Sequence, residues 1–259
     1  MIKFFRKIRQ QLAYDNHLGK YMRYAIGEIL LVIIGILLAL QINNSNRERI
    51  EKKTFRNNLQ FVLEDLKQDK TDLLNLQKER QRVWDKANTM LRAAKEKRIL
   101  STLEIYQNSE IMLWKSFEMN ASGLERIQSS QLYESIEFEP IRKKIRQYLV
   151  VYKEIQGLEK KLNESVEQME ITMSKDGSIL ELYEFTNLVF QAEEINEEIK
   201  AQIENYHIDF NTFMIDNPPM LALFERGKLI TNGIMKTYDY HIEVGEELHE
   251  SITNYLNSK

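Results

Sequence analysis

Apolar residues recur in alternating steps of four and three over most of the chain, the spacing typical of helices packed against other helices. The first such series covers residues 55–94, and among its heptad core positions only Asp69 and Arg80 are polar. It predicts a helix from about Asn46 to Lys97, on the order of 75 Å long. Because neither Gly nor Pro interrupts this stretch, the helix is able to continue from the segment before it.

Three further series predict the rest of the helical framework. The second covers residues 141–173 and has one polar exception, Glu159. The third covers roughly 180–210 and the last about 229–256, with Asn-Pro-Pro at 217–219 as a break between them.

The stretch between the first two series, residues 103–138, is more varied and predicts two or three shorter helices, including 103–117 and 122–133. Four aromatic residues there are predicted to close one end of the bundle: Trp114, Phe117, Tyr133 and Phe138. Strand signals are absent. We therefore predict an all-α chain, with a single transmembrane helix followed by an elongated antiparallel bundle of about four long helices.

Residues 24–42 read YAIGEILLVIIGILLALQI, and twelve of these nineteen residues are Ile, Leu or Val. As a helix they span about 28 Å, close to the roughly 30 Å thickness of bilayer hydrocarbon. Their insertion contributes about −6 kcal/mol, against at most about +3 kcal/mol for Glu28. No polar side chain occurs from Ile29 to Leu40, and no small-x-small cleavage site follows. The segment is predicted to be an uncleaved transmembrane helix.

The charges beside this segment predict its orientation. Residues 1–23 carry six cations against Asp15, whereas the whole chain has a net charge of −3, so the remainder is acidic. The flank at 47–56 is basic too, but the short N-terminal tail favours a cytoplasmic N-terminus. Residues 43–259 are then expected in the periplasm of a Gram-negative cell, with the anchor in the inner membrane.

Residues 2–12 place apolar side chains on one side of a helical wheel and cations on the other. This pattern is typical of a short helix lying on an anionic membrane surface. A disordered basic tail that only sets the orientation explains it equally well. In either case the residues expected to contact lipid headgroups are Lys3, Arg6, Lys7 and Arg9.

Within the predicted span, Glu28, Gly35 and Ala39 fall on one helical face. Small residues allow two helices to approach closely, and an acid on the same face is able to hydrogen-bond across the contact. We predict a helix–helix contact there, with a second copy or with another membrane protein. The alternative is a lone span with incidental small residues.

The sequence offers little reactive chemistry. Cysteine is absent, and no nucleotide-binding, metalloprotease or serine-hydrolase motif occurs. His241 and His249 are eight residues apart among glutamates, a spacing that favours a solvated helix face over a metal site. Ser122 and Glu125 are interpreted as a capping box. We expect no catalytic, cofactor or metal site, and the acidic body argues against nucleic acid as a partner.

The segments MIKFFRKIRQ and KYMRYAIGEILLVIIGILLALQINN closely resemble the start of a family of bacterial single-pass membrane proteins of unknown function. MNASGLERIQSSQLYESIEFEPIRKKIRQYLVVY is similar to the middle of that family, except that Gln131 stands where Gly is usual. The resemblance implies the same topology and helical fold. It implies no activity, cofactor or catalytic residue.

Together these features predict a non-enzymatic interaction or scaffold protein of the cell envelope, in contact with membrane lipid and with itself or another membrane protein. A periplasmic sensory or ligand-binding domain that signals through a membrane partner is the alternative. An enzyme would require a polar cleft with converging carboxylates or histidines.

Overall fold

The computed structural model describes residues 18–113, 115–175, 196–204 and 217–258, together with the single positions 180, 183, 212 and 214. Every regular element in these stretches is a helix, and none of them is a strand. The prediction of an all-α chain is confirmed.

The first helix, α1, spans Leu18–Glu96. Contacts divide the chain into two units, residues 1–57 and residues 58–259, and α1 contributes to both. The predicted helix from Asn46 to Lys97 is thus the later part of a longer one.

In the first unit, the apolar side chains of α1 are exposed on every side. From Ile29 to Leu40, each large apolar side chain is 45–70% exposed. The most apolar window of the helix has a mean hydropathy of 2.6, and none of it is buried within the chain. Among the described residues this is the one helix long and apolar enough to cross a membrane.

A Schellman motif ends α1. Lys97 has a φ of 52°, and its N–H donates to the carbonyl of Ala94 at 3.2 Å. The N–H of Arg98 donates to the carbonyl of Ala93 at 2.9 Å. Glycine usually occupies this left-handed position. Because lysine fills it here, the sequence carries no glycine to signal the end of the helix.

In the second unit, two further long helices pack along each other: α4 at Glu139–Ser174 and α6 at Pro218–Asn257. The shorter helices are α2 at Thr102–Asn108, α3 at Ser122–Gln128 and α5 at Glu197–Glu204. Three 3₁₀ turns lie at Glu110–Met112, Gln131–Glu134 and Ile136–Phe138. The predicted series at 141–173 therefore agrees closely with α4, whereas most of the series at 180–210 lies outside the described residues.

Side-chain contacts show the direction of the long helices within this unit. Three hydrogen-bonded pairs join α1 to α6: Lys70 with Glu246, Gln77 with Asp239, and Asn88 with Lys228. Residue numbers rise along one helix as they fall along the other, so these two run antiparallel. The pairs between α1 and α4, Asp69 with Tyr148 and Arg80 with Glu159, rise together, so those two run parallel.

Helix α6 begins eleven residues earlier than the predicted start at Leu229. Asn217 caps it by accepting a hydrogen bond from the N–H of Met220 at 3.4 Å. Pro218 and Pro219 occupy the first helical positions, which have no intrahelical N–H partner to lose. The Asn-Pro-Pro sequence breaks the chain as predicted, but it also starts the next helix.

The aromatic residues of the connecting region lie in two places. Phe117 contacts Tyr152 and His241, whereas Phe138 contacts Tyr133 and Tyr255. The two partners on α6, His241 and Tyr255, are fourteen residues apart, or about 21 Å along the helix. These residues therefore do not form a single plug, and Trp114 lies outside the described residues.

Candidate functional site

Residues 115–121 form a segment without regular secondary structure between the short helices, which we call the strap. Residues 115–120 belong to no helix, and Phe117 among them is buried. Buried backbone groups need hydrogen-bond partners. Three charged side chains from the two long helices supply partners: Asp69, Arg80 and Glu159.

Two aspartates one turn apart on α1 hold the end of the strap and the start of α3, which follows it. Asp69 Oδ1 accepts from the backbone N–H of Asn120 at 2.8 Å and from its side-chain amide at 2.7 Å. Asp65 Oδ2 accepts from the N–H of Gly123 at 2.6 Å and from the Ser122 hydroxyl at 3.3 Å. Asp65 thus caps the start of α3 from another helix. The predicted capping box of Ser122 and Glu125 is wrong, since α3 has no cap from its own side chains.

The middle of the strap is held by a buried ion pair. Arg80 and Glu159 are 1% and 3% exposed, with 3.4 Å between Nη2 and Oε1. Arg80 also donates to the carbonyl of Lys115 at 2.6 Å, and Glu159 accepts from the N–H of Phe117 at 3.1 Å. The hydroxyl of Tyr238 on α6 donates to Glu159 as well. One carboxylate therefore joins three helices and the strap.

Burial raises the pKa of Glu159, against the lowering effect of Tyr238, the Phe117 N–H and Arg80. Burial likewise raises the pKa of Asp69, while Asn120 and the Tyr148 hydroxyl, which donates at 2.7 Å, act in the opposite direction. Raised carboxyl pKa values occur in general acids, but here both carboxylates are occupied by fixed donors. This arrangement organises the strap rather than presenting a reactive group.

Among the described residues, this network leaves out two buried polar residues, Thr231 and His241, both on α6. His241 is the titratable one. His241 is 0% exposed, and neither ring nitrogen has a hydrogen-bond partner among the described residues. Its ring stacks on Tyr148 with 4.0 Å between centroids and meets the edge of Phe117 at 5.8 Å. The prediction that His241 lies on a solvated face is wrong, although His249 is exposed. An orphaned polar side chain of this kind requires an explanation.

A cleft of about 250 Å³ lies between α1 and α6, and His241 is among the residues lining it. Its apolar lining residues are Leu66, Leu73 and Ile242, and Tyr148 and Gly245 line it as well. Four charged or titratable residues also line it: Lys67, Lys70, Glu246 and His249. Gly245 makes room for the phenol ring, since a Cβ there would lie 3.1 Å from Cε2 of Tyr148.

The sites predicted from the sequence fall elsewhere. Glu28, Gly35 and Ala39 are exposed on α1 in the first unit, so their contact with another helix remains a prediction. The basic residues at positions 3–9 lie outside the described residues. Within the part of the chain that the structure describes, no three His, Asp or Glu side chains converge to hold a metal ion.

Desolvation lowers the pKa of His241 to about 4, which predicts a loss of stability in acid. The unfolded chain binds this proton near the ordinary pKa of 6.5, so the native state loses stability as the pH falls from about 6.5 to 4, by about 3 kcal/mol in all. Replacing His241→Phe should remove this dependence and stabilise the chain at pH 7 by about 1–2 kcal/mol, because no ring nitrogen remains desolvated.

Urea unfolding at several pH values measures the difference in the free energy of unfolding between the His241→Phe variant and the wild type. The carboxylates are common to both proteins, so their contributions to this difference cancel. His249→Gln is the control and should stay within about 0.5 kcal/mol of the wild type, since its side chain is exposed. Parallel pH profiles for His241→Phe and the wild type would show that the imidazole already has a proton-accepting partner.

Comparisons with protein-family models, with curated proteins and with solved structures find no match to this chain. The resemblance of its opening residues to a family of single-pass membrane proteins therefore remains a prediction.

Proposed function

We propose that the chain is a non-enzymatic, membrane-anchored interaction or scaffold protein of the bacterial cell envelope. The observation that carries this proposal is the helix surface from Ile29 to Leu40, whose large apolar side chains are exposed on every side. A helix surface of twelve consecutive residues without a polar side chain is unfavourable in water. Lipid is the environment that covers all faces of one helix.

The orientation proposed is a cytoplasmic N-terminus and a periplasmic domain at residues 43–259, with the span at 24–42 in the inner membrane. It is supported by the six basic residues of the short tail before the span. Beyond the membrane, we propose an elongated helical bundle in which α6 runs against α1 and α4.

The interaction role rests on two features. Glu28, Gly35 and Ala39 share one exposed face of α1, and a helix in lipid gains little from association unless small or polar residues meet at the contact. In the second unit, the buried charged residues are used to hold the strap. The shared face favours contact with another helix, and the use of the buried charges within the fold favours a non-enzymatic role.

Two measurements on intact cells test this proposal. A phosphatase active only outside the cytoplasm, fused after Lys259, should be active, whereas retention of the fusion in the cytosol would overturn the topology.

Crosslinking should capture a second copy or a membrane protein, and Gly35→Ile should reduce the yield of the crosslinked product at least threefold by separating the helices. Gly27→Ile, about 80° away on the helix, is the matched control. A strict monomer in mild detergent with no crosslinked partner would contradict the interaction role.

A second candidate function is a periplasmic ligand-binding domain that signals through a membrane partner. The cleft between α1 and α6 favours it, because His241 lines the cleft and has two ring nitrogens without partners. A thermal shift on addition of a small molecule would support this candidate.

A further inference from the structure

The cleft between α1 and α6 combines an apolar interior with an excess of positive charge. Leu66, Leu73 and Ile242 line it together with the stacked rings of Tyr148 and His241. Its volume of about 250 Å³ is below the range of roughly 300–1,000 Å³ for drug-sized ligands. A molecule of roughly ten heavy atoms is therefore the size that fits.

The charged residues of the cleft are not balanced. Lys70 forms an ion pair with Glu246, with 2.5 Å between Nζ and Oε1, and this pair joins the two helices that border the cleft. Lys67 lines the same cleft, and among the described residues no carboxylate lies within ion-pair distance of it. One cation is thus left for a ligand, which favours a singly charged anion.

His241 supplies a second polar group within the cleft. Its lowered pKa keeps the imidazole neutral at pH 7, with one N–H donor and one acceptor. Leaving such a group unsatisfied costs about 1–3 kcal/mol, so a ligand oxygen that accepts its hydrogen bond recovers part of that cost. The stacked Tyr148 ring is fixed by its hydrogen bond to Asp69, so the imidazole lies against a preformed surface.

From these three features we propose that the cleft binds a small organic monocarboxylate with an apolar body. The apolar body lies against the leucines and the stacked rings, and the carboxylate lies between Lys67 and the His241 N–H. Inorganic phosphate fits less well, because the apolar lining offers its other oxygens no donors. This proposal deepens the ligand-binding candidate and does not depend on how the chain is anchored or on what its span contacts.

The test uses the full chain in phosphatidylcholine nanodiscs, with ¹³C-labelled histidine and phenylacetate as the probe. Titration should shift the His241 ring signal saturably, with a Kd on the order of 1 mM or tighter, as expected for a ligand of this size. Phenylacetamide, which has the same shape without the charge, should bind at least fivefold more weakly. The His241 signal is identified by its loss in His241→Phe.

Two variants distinguish binding in the cleft from nonspecific attraction of the anion to lysine side chains. Lys67→Gln should weaken phenylacetate binding at least threefold, whereas Lys160→Gln, at an exposed lysine on α4, should leave it unchanged. No saturable shift up to 20 times the expected Kd, or equal binding of the amide and the acid, would overturn the proposal. Either result would leave the crosslinking and fusion measurements unaffected, so failure here is distinguishable from failure of the anchored interaction role.

Discussion

Replacing Glu159→Leu is expected to lower the free energy of unfolding by about 3–5 kcal/mol, the usual effect of removing one partner of a buried ion pair. The leucine would leave the Arg80 guanidinium charged and 1% exposed, with only the carbonyl of Lys115 as its partner. It would also remove the acceptor of the Phe117 N–H and of the Tyr238 hydroxyl. The measurement is urea unfolding of the purified chain, followed by its helical circular dichroism.

A double-mutant cycle distinguishes the ion pair from simple loss of packing. Arg80→Met should partly rescue Glu159→Leu, so that the double variant is at least about 1 kcal/mol more stable than the sum of the single effects implies. Glu164→Gln is the surface control, because its pair with Lys160 is exposed on both sides and should contribute under about 0.5 kcal/mol. A loss below about 1 kcal/mol for Glu159→Leu would contradict the view that this carboxylate joins the three helices and the strap.

The polar exceptions in the heptad pattern were the only sign of this network in the sequence. Asp69, Arg80 and Glu159 interrupt series that are otherwise apolar, and all three are buried. Periodicity places such residues in the core, and a buried charge must be paired. Periodicity does not identify the partners, because each of the three residues bonds a backbone group of the strap, which has no repeat of its own.

The same limit explains the wrong interpretation of Ser122. A capping box is a local pattern, and Ser122 with Glu125 matches it. In the fold, Asp65 reaches this helix end from 58 residues away and takes the N–H of Gly123. Only the packing of α3 on α1 decides between the two caps, and that packing is not visible in local spacing.

His241 was missed for a different reason. It falls between Tyr238 and Gly245 in steps of three and four, which is a core register on α6. The neighbouring Ile242 fits an apolar stripe almost as well. The pattern therefore places the stripe one residue later and predicts a histidine that faces solvent. Hydropathy alone favours this choice, since a histidine without hydrogen-bond partners is an unfavourable core residue.

Gly123→Ala is expected to destabilise the second unit by about 3 kcal/mol, at the upper end of the usual effect of overpacking. A Cβ at this position would lie 2.5 Å from the backbone nitrogen of Val62 and 2.7 Å from its Cα. A flexible side chain is able to move aside. Backbone atoms inside α1 cannot move in this way, because the hydrogen bonds of the helix hold them. The added methyl group should therefore push α3 away from α1 and lengthen the hydrogen bond to Asp65.

Gly157→Ala is the matched control for this prediction. Gly157 lies inside α4, and a Cβ there meets nothing within 4 Å. Alanine should therefore stabilise the chain by about 0.5–1 kcal/mol, because glycine is a poor helix former. The two substitutions add the same methyl group with opposite expected signs, so urea unfolding of both variants separates close backbone packing from helix propensity. Stabilisation by Gly123→Ala as well would show that α3 does not pack closely on α1, and that the strap ends without a close contact to the long helix.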